Sequence, residues 1–133
     1  MLTRAIATSA IAIICSLAFD AIDAAGSIAA AAATARERHP GIPLIIEVEN
    51  LDELRQALAT GCTRILVDDF SFEDMREAVR IAGGRIPLEV SGSVSLERVR
   101  EIAETGVDCI SIGALTKHVR AVDYSMRLGA APA

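Results

Sequence analysis

From residue 40 onward the chain repeats one unit: a short apolar run, a polar stretch with apolar residues at helical spacing, then a glycine. "IPLIIEVEN" leads into "LDELRQALATG", "CTRILVDD" into "SFEDMREAVRIAGG", and "RIPLEV" into "SLERVREIAETG"; "VDCISIGAL" opens a fourth unit. The apolar runs are continuous and do not alternate, which predicts strands covered on both faces. Between them, Leu51, Leu54 and Leu58, then Met75, Val79 and Ala82, then Leu96, Val99 and Ile102 each line one side of a helix. Asn50 with Glu53, and Ser71 with Asp74, have the spacing of helix-opening caps, and Gly61 marks a helix end. Upstream, "AAGSIAAAAATARERHPG" predicts an Ala-rich helix stopped by Pro40 and Gly41. Strand, helix and strand at nearly constant length give an α/β fold with parallel strands and right-handed crossovers. About four βα units, preceded by the Ala-rich helix, make a partial (β/α) barrel or an open doubly wound sheet.

Composition agrees with that class. The 133 residues suffice for one core, and 52% hydrophobic residues with only 3% aromatics and no Trp require packing by Ala, Ile, Leu and Val. A net charge of -5 without a basic cluster excludes nucleic acid as a partner. Cys15, Cys62 and Cys109 are odd in number and far apart, so they read as unpaired thiols in a reducing, cytoplasmic setting. The apolar run from Ala5 to Phe19 loosely imitates a secretory signal, but it is too short for a membrane span. A strand or helix of the domain itself is the favoured reading. The chain thus divides into a divergent apolar segment at 1–22, the Ala-rich helix with the βα units and the stretch after them at 23–128, and a disordered tail at 129–133. Within "HVRAVDYSMRLGAAPA" a last strand or short helix is expected before the chain end.

Polar residues at the strand ends carry the functional information. Glu47, Asp68, Glu89 and Ser111 recur every 21 or 22 residues, each near the C-terminal end of its strand. In both parallel architectures that end collects ligands and catalytic groups. Solvation accounts for one such residue. Three carboxylates in phase would face one mouth, where a metal or a cationic ligand group must relieve their repulsion. Glu49 either joins that rim or faces away. "SGS" at 91–93 and "IGAL" at 112–115 are small-residue loops leading into a helix or turn. Exposed amides there suit a phosphate.

"EVEN", "VDDF", "EDMREAV", "LEVSGSV", "AETGVDCISIGALTKHV" and "DYSMRL" stand in the order and spacing of one known enzyme. From about Ile22 to Leu128 the chain resembles the C-terminal part of quinolinate phosphoribosyltransferase. The resemblance implies transfer of a phosphoribosyl group from phosphoribosyl pyrophosphate to quinolinate, with Mg²⁺, giving nicotinate mononucleotide, pyrophosphate and CO₂ in NAD biosynthesis. It implies that Glu47 and Asp68 are the catalytic and metal-binding pair at the ribose. Ser91, Gly92 and Ser93, with Gly113 and Ala114, would receive the 5′-phosphate. Glu89 would support that loop from behind, and Lys117 and His118 would stand near the site or at its rim.

The departures are as specific. Ala18 stands where the family has a substrate-contacting Lys, in "AFDAI", of which Ile22 alone matches. Asp68-Asp69 replaces an Asp-Asn pair. The resemblance covers well under half of a usual family member and omits the basic residues that hold the dicarboxylate. A truncated chain, inactive alone, or a catalytically silent scaffold retaining the phosphate-binding face is therefore expected. Four barrel strands also leave open edges, which self-association would cover.

Overall fold

Five parallel strands lie side by side in chain order: β1 (Ala12–Ile14), β2 (Leu44–Val48), β3 (Arg64–Asp68), β4 (Leu88–Ser91) and β5 (Cys109–Ile110). The computed structural model describes residues 12–14, 27–117, 120–126 and 129. Helices α1 (Ile28–Arg38), α2 (Leu51–Ala59), α3 (Phe72–Ala82), α4 (Val99–Ala103) and α5 (Ala114–Lys117) alternate with the strands. A doubly wound sheet reverses strand order at a switch point, whereas a barrel segment runs straight through. The order found here is that of a barrel segment. Part of the apolar N-terminal run, Ala12–Ile14, is its first strand.

Local sequence starts the helices as expected. Asn50 Oδ1 accepts the N–H groups of Asp52 and Glu53 at 3.1 and 2.9 Å, and Glu53 in turn accepts the N–H of Glu49 at 2.9 Å. Ser71 Oγ accepts the N–H of Asp74 at 3.1 Å, and Ser27 Oγ that of Ala30 at 3.2 Å. The caps aim α2 and α3 back across the sheet. Leu54, Ala57, Met75, Ala78 and Ala82 then bury against Ile46, Val48, Ile65, Val67, Leu88 and Val90. Ile102 of α4 completes that layer.

Three expectations are corrected. The strands are not covered alike on both faces. Ile65, Val67, Leu88 and Val90 are buried under the helices, while Arg64, Leu66, Asp68, Glu89 and Ser91 are half-buried on the other side. The core gathers the helix-facing strand residues and leaves Leu66 and Glu89 outside it. The third helix starts later than its apolar spacing suggests. The carbonyl of Ser95 takes the N–H groups of both Arg98 and Val99 at 3.1 Å, forming a turn that leaves Leu96 81% exposed. Finally, residues 120–126 form neither strand nor helix, and Val122, Tyr124 and Met126 are exposed.

Cys62 is buried under α2, and burial pushes its thiol above the ordinary range. Cys62 and Cys109 are unpaired. Among the described residues no helix is long and apolar enough to cross a membrane. Cys15, Ala18, Ile22, His118 and residues 130–133 lie outside the described residues.

Candidate active site at the strand ends

Strand register sorts the helix-free face into rows. Ile45 stands beside Arg64 at the bottom; Glu47, Leu66, Glu89 and Cys109 form the middle row; Asp68 and Ser91 form the top. Side chains alternate between faces along a strand, so these residues share one face. Glu47 and Asp68 are therefore neighbours on adjacent strands, offset by one row. Glu89 does not close its strand, as the sequence suggested. It is second of four residues, level with Leu66, and Ser91 occupies the end.

The top row is tied together. Ser91 Oγ donates to Asp68 Oδ1 at 2.8 Å, and the N–H of Asp69 donates to the carbonyl of Ser91 at 3.3 Å. Gly92 follows with φ +80°. A Cβ there would lie 2.8 Å from Asp68 Oδ1 and 2.9 Å from the Asp69 nitrogen. The 91–93 loop thus leans on the end of β3, and only glycine allows that approach. Ser93, with φ +41°, presents its carbonyl to Arg98 Nη1 at 3.0 Å. The Arg98 guanidinium lies over the Phe72 ring, 5.1 Å from its centroid. The geometry leaves Gly92 and Ser93 exposed beside the Asp68 carboxylate.

The second loop is built differently. The carbonyl of Gly113 accepts the N–H groups of Thr116 and Lys117 at 3.1 and 3.0 Å, and the Lys117 stem passes over Gly113. A Cβ at Gly113 would meet Lys117 Cε at 3.8 Å, an ordinary contact. Gly113, Ala114 and Lys117 are exposed at the rim. Behind them, Glu89 accepts hydrogen bonds from Arg64 Nη1 at 2.7 Å and from Ser111 Oγ. The Glu89 hydrogen bond holds the Arg64 guanidinium above its already high range.

Two cations escaped the sequence reading. Counting back in steps of two from Asp68 puts Arg64 on the mouth-facing side, and that parity was the available signal. Arg98 had none, because its position depends on the turn at Ser95. Glu49 joins the rim. It lines an acidic cleft of about 460 Å³ between the loops after β2 and β3, with Asp52, Asp69, Asp74 and Arg55.

The family model for the quinolinate phosphoribosyl transferase C-terminal domain matches residues 15–127. The chain belongs to the quinolinate phosphoribosyltransferase family. A probable carboxylating nicotinate-nucleotide pyrophosphorylase from Synechocystis is 41% identical over a 112-residue alignment that covers 80% of this chain and 38% of that protein. The carboxylating nicotinate-nucleotide pyrophosphorylase of Mycobacterium leprae is 37% identical over a 110-residue alignment that covers 80% of this chain and 39% of that protein. The solved nicotinate-nucleotide pyrophosphorylase of Francisella tularensis superposes with a TM-score of 0.69 at 46% identity, covering 72% of this chain and 35% of that one. That of Ehrlichia chaffeensis gives 0.70 at 37% identity, covering 74% and 36%. The chain therefore spans between about a quarter and two fifths of the length of the relatives it matches.

Proposed function

We propose that this chain carries the phosphoribosyl side of the quinolinate phosphoribosyltransferase site. It would hold the ribose and 5′-phosphate of phosphoribosyl pyrophosphate while the ribosyl bond to pyrophosphate breaks. The observation that supports this best is the junction of Asp68, Ser91 and Gly92: a fixed carboxylate beside a loop with no side chain in the way. As pyrophosphate leaves, positive charge grows on the ribose. Carboxylates already in place stabilise it without having to reorient. Glu47 and Asp68 supply that negative charge from adjacent strands. The amides of Gly92 and Ser93, with those of Gly113 and Ala114 in the loop after the neighbouring strand, would take the phosphate, and Lys117 would add a positive charge at the rim.

The donor set suits Mg²⁺, a hard cation that binds one or two carboxylates and completes its shell with water and substrate phosphates. Among the described residues no cluster of three or more acidic, His or Cys side chains is poised to hold a metal by itself. Glu47 and Asp68 would hold it together with the pyrophosphate, directly or through water. Held there, the cation would supply positive charge against the leaving pyrophosphate.

Charge also favours a second reading, a chain that binds the phosphoribosyl group but is silent alone. The described strand residues of the helix-free face carry Glu47, Asp68 and Glu89 against one cation, Arg64, which Glu89 already engages. A dicarboxylate would find no free partner there. Two unpaired cysteines accord with a cytoplasmic setting.

The test is thermal unfolding with phosphoribosyl pyrophosphate and Mg²⁺, paired with an assay of pyrophosphate release on adding quinolinate. Saturating ligand is expected to raise the midpoint by several degrees, from roughly 2–3 kcal/mol of binding stabilisation. Turnover would favour the complete enzyme, and stabilisation without turnover the silent form. A midpoint unmoved by ligand would overturn both.

A further inference from the structure

We infer that Arg64, at the bottom of the sheet, positions the second phosphate loop through Glu89 and Ser111; this rests on the phosphoribosyl reading of that loop. The three residues climb the helix-free face. Arg64 opens β3 in the bottom row, Glu89 sits in the middle row of β4, and Ser111 follows β5 at the level of the mouth. Arg64 Nη1 donates to Glu89 Oε2 at 2.7 Å, and Ser111 Oγ donates to the other oxygen, Oε1. Each carboxylate oxygen has its own donor, so the plane of the carboxylate is fixed from both sides.

Enclosure makes the arrangement consequential. The Glu89 side chain is only 12% exposed, while that of Arg64 is 40% exposed. A largely enclosed carboxylate that loses its charged partner is left uncompensated, and turning toward water is its way to relieve that cost. Turning takes Oε1 away from the Ser111 hydroxyl. Ser111 is also held by its N–H to the carbonyl of Val90 at 2.9 Å. Two residues on, the Gly113 carbonyl anchors the turn leading under Lys117. The hydroxyl bond therefore sets the direction in which the loop leaves β5. Arg64 opens β3 at the end away from the loop and would act on it through Glu89.

The role of Arg64 is tested by amide hydrogen exchange of the unliganded protein together with phosphoribosyl pyrophosphate affinity. In Arg64→Met, the amides of Ser111, Leu115, Thr116 and Lys117 are expected to exchange about tenfold faster, with α3 unchanged. Affinity is expected to fall roughly fivefold. Arg64→Lys, which keeps a charge against Glu89, should restore most of both. Ser111→Ala should reproduce the Arg64→Met effects, and the double variant should be no worse than either single one. Unchanged exchange in a folded Arg64→Met, or additive losses in the double variant, would overturn the inference. If Arg64→Met does not fold, Ser111→Ala decides by the same exchange readout, with faster exchange supporting the link and unchanged exchange overturning it. Loosened amides in a protein that binds no phosphoribosyl pyrophosphate would sink the functional reading but leave the positioning role standing.

Discussion

Gly92→Ala is expected to lower the unliganded thermal midpoint by roughly 10 °C and to abolish stabilisation by phosphoribosyl pyrophosphate. Two costs combine. A φ of +80° is uphill for any residue with a Cβ, by about 1–2 kcal/mol. The added carbon would also sit 2.9 Å from the Asp69 nitrogen and 3.2 Å from its Cα, and backbone atoms cannot swing aside. Overpacking of that kind costs about another 1–3 kcal/mol. Relief would require the 91–93 loop to lift off the end of β3, which breaks the Ser91–Asp68 bond and moves the phosphate-facing amides. Gly84→Ala is the matching control. Its φ is +70°, yet nothing lies within 4 Å of the added carbon, so the conformational cost alone remains. A calorimetric scan of both variants separates the close approach from the backbone preference. Equal losses would show that contact with β3 contributes nothing.

Asp68→Asn is expected to separate binding from stability. The amide oxygen of Asn can still accept the Ser91 hydroxyl, so the junction survives. Removing one of three carboxylates from a single face also relieves repulsion. The unliganded midpoint should therefore hold or rise slightly. The Mg²⁺-dependent affinity for phosphoribosyl pyrophosphate should fall by about 2 kcal/mol, roughly thirtyfold. Titration calorimetry with and without Mg²⁺ measures both parts. In any preparation that turns over, the rate should fall by about 10²-fold or more, because charge stabilisation is lost where the cation develops. Retained Mg²⁺-dependent affinity would remove Asp68 from the metal and ribose site. The opposite signs expected for stability and binding mark a functional residue and not a structural one.

Much of this was legible in the sequence because it is local. Caps at Asn50 and Ser71 and apolar stripes on α2 and α3 depend on near neighbours along the chain, and the regular length of the βα unit brings an acidic residue near the end of each of three strands. They placed Glu47, Asp68 and Glu89 on one face of the sheet. What failed was set by tertiary geometry. Glu89 looked like a strand end because its strand reads "LEV" before "SGS", but register puts Ser91 beside Asp68 and drops Glu89 one row. Leu96 matched a helical stripe, yet the turn at Ser95 rotated it into solvent. Gly92 and Gly113 looked equivalent as small loop residues. Only Gly92 is pressed against a neighbouring strand, and no count along the sequence reveals that. Arg64 was hidden at the wrong end of its strand, and its significance appears only when Glu89 is seen joining it to Ser111.

The most direct measurement of the central claim is residue-resolved amide NMR during titration with phosphoribosyl pyrophosphate and Mg²⁺. The amides of Gly92, Ser93, Gly113 and Ala114 should shift together along one saturating curve, with Asp69 following because it shares the junction. Shifts confined to the acidic cleft around Asp52 and Asp74, or no saturable shift in either loop, would contradict a phosphoribosyl site at this mouth.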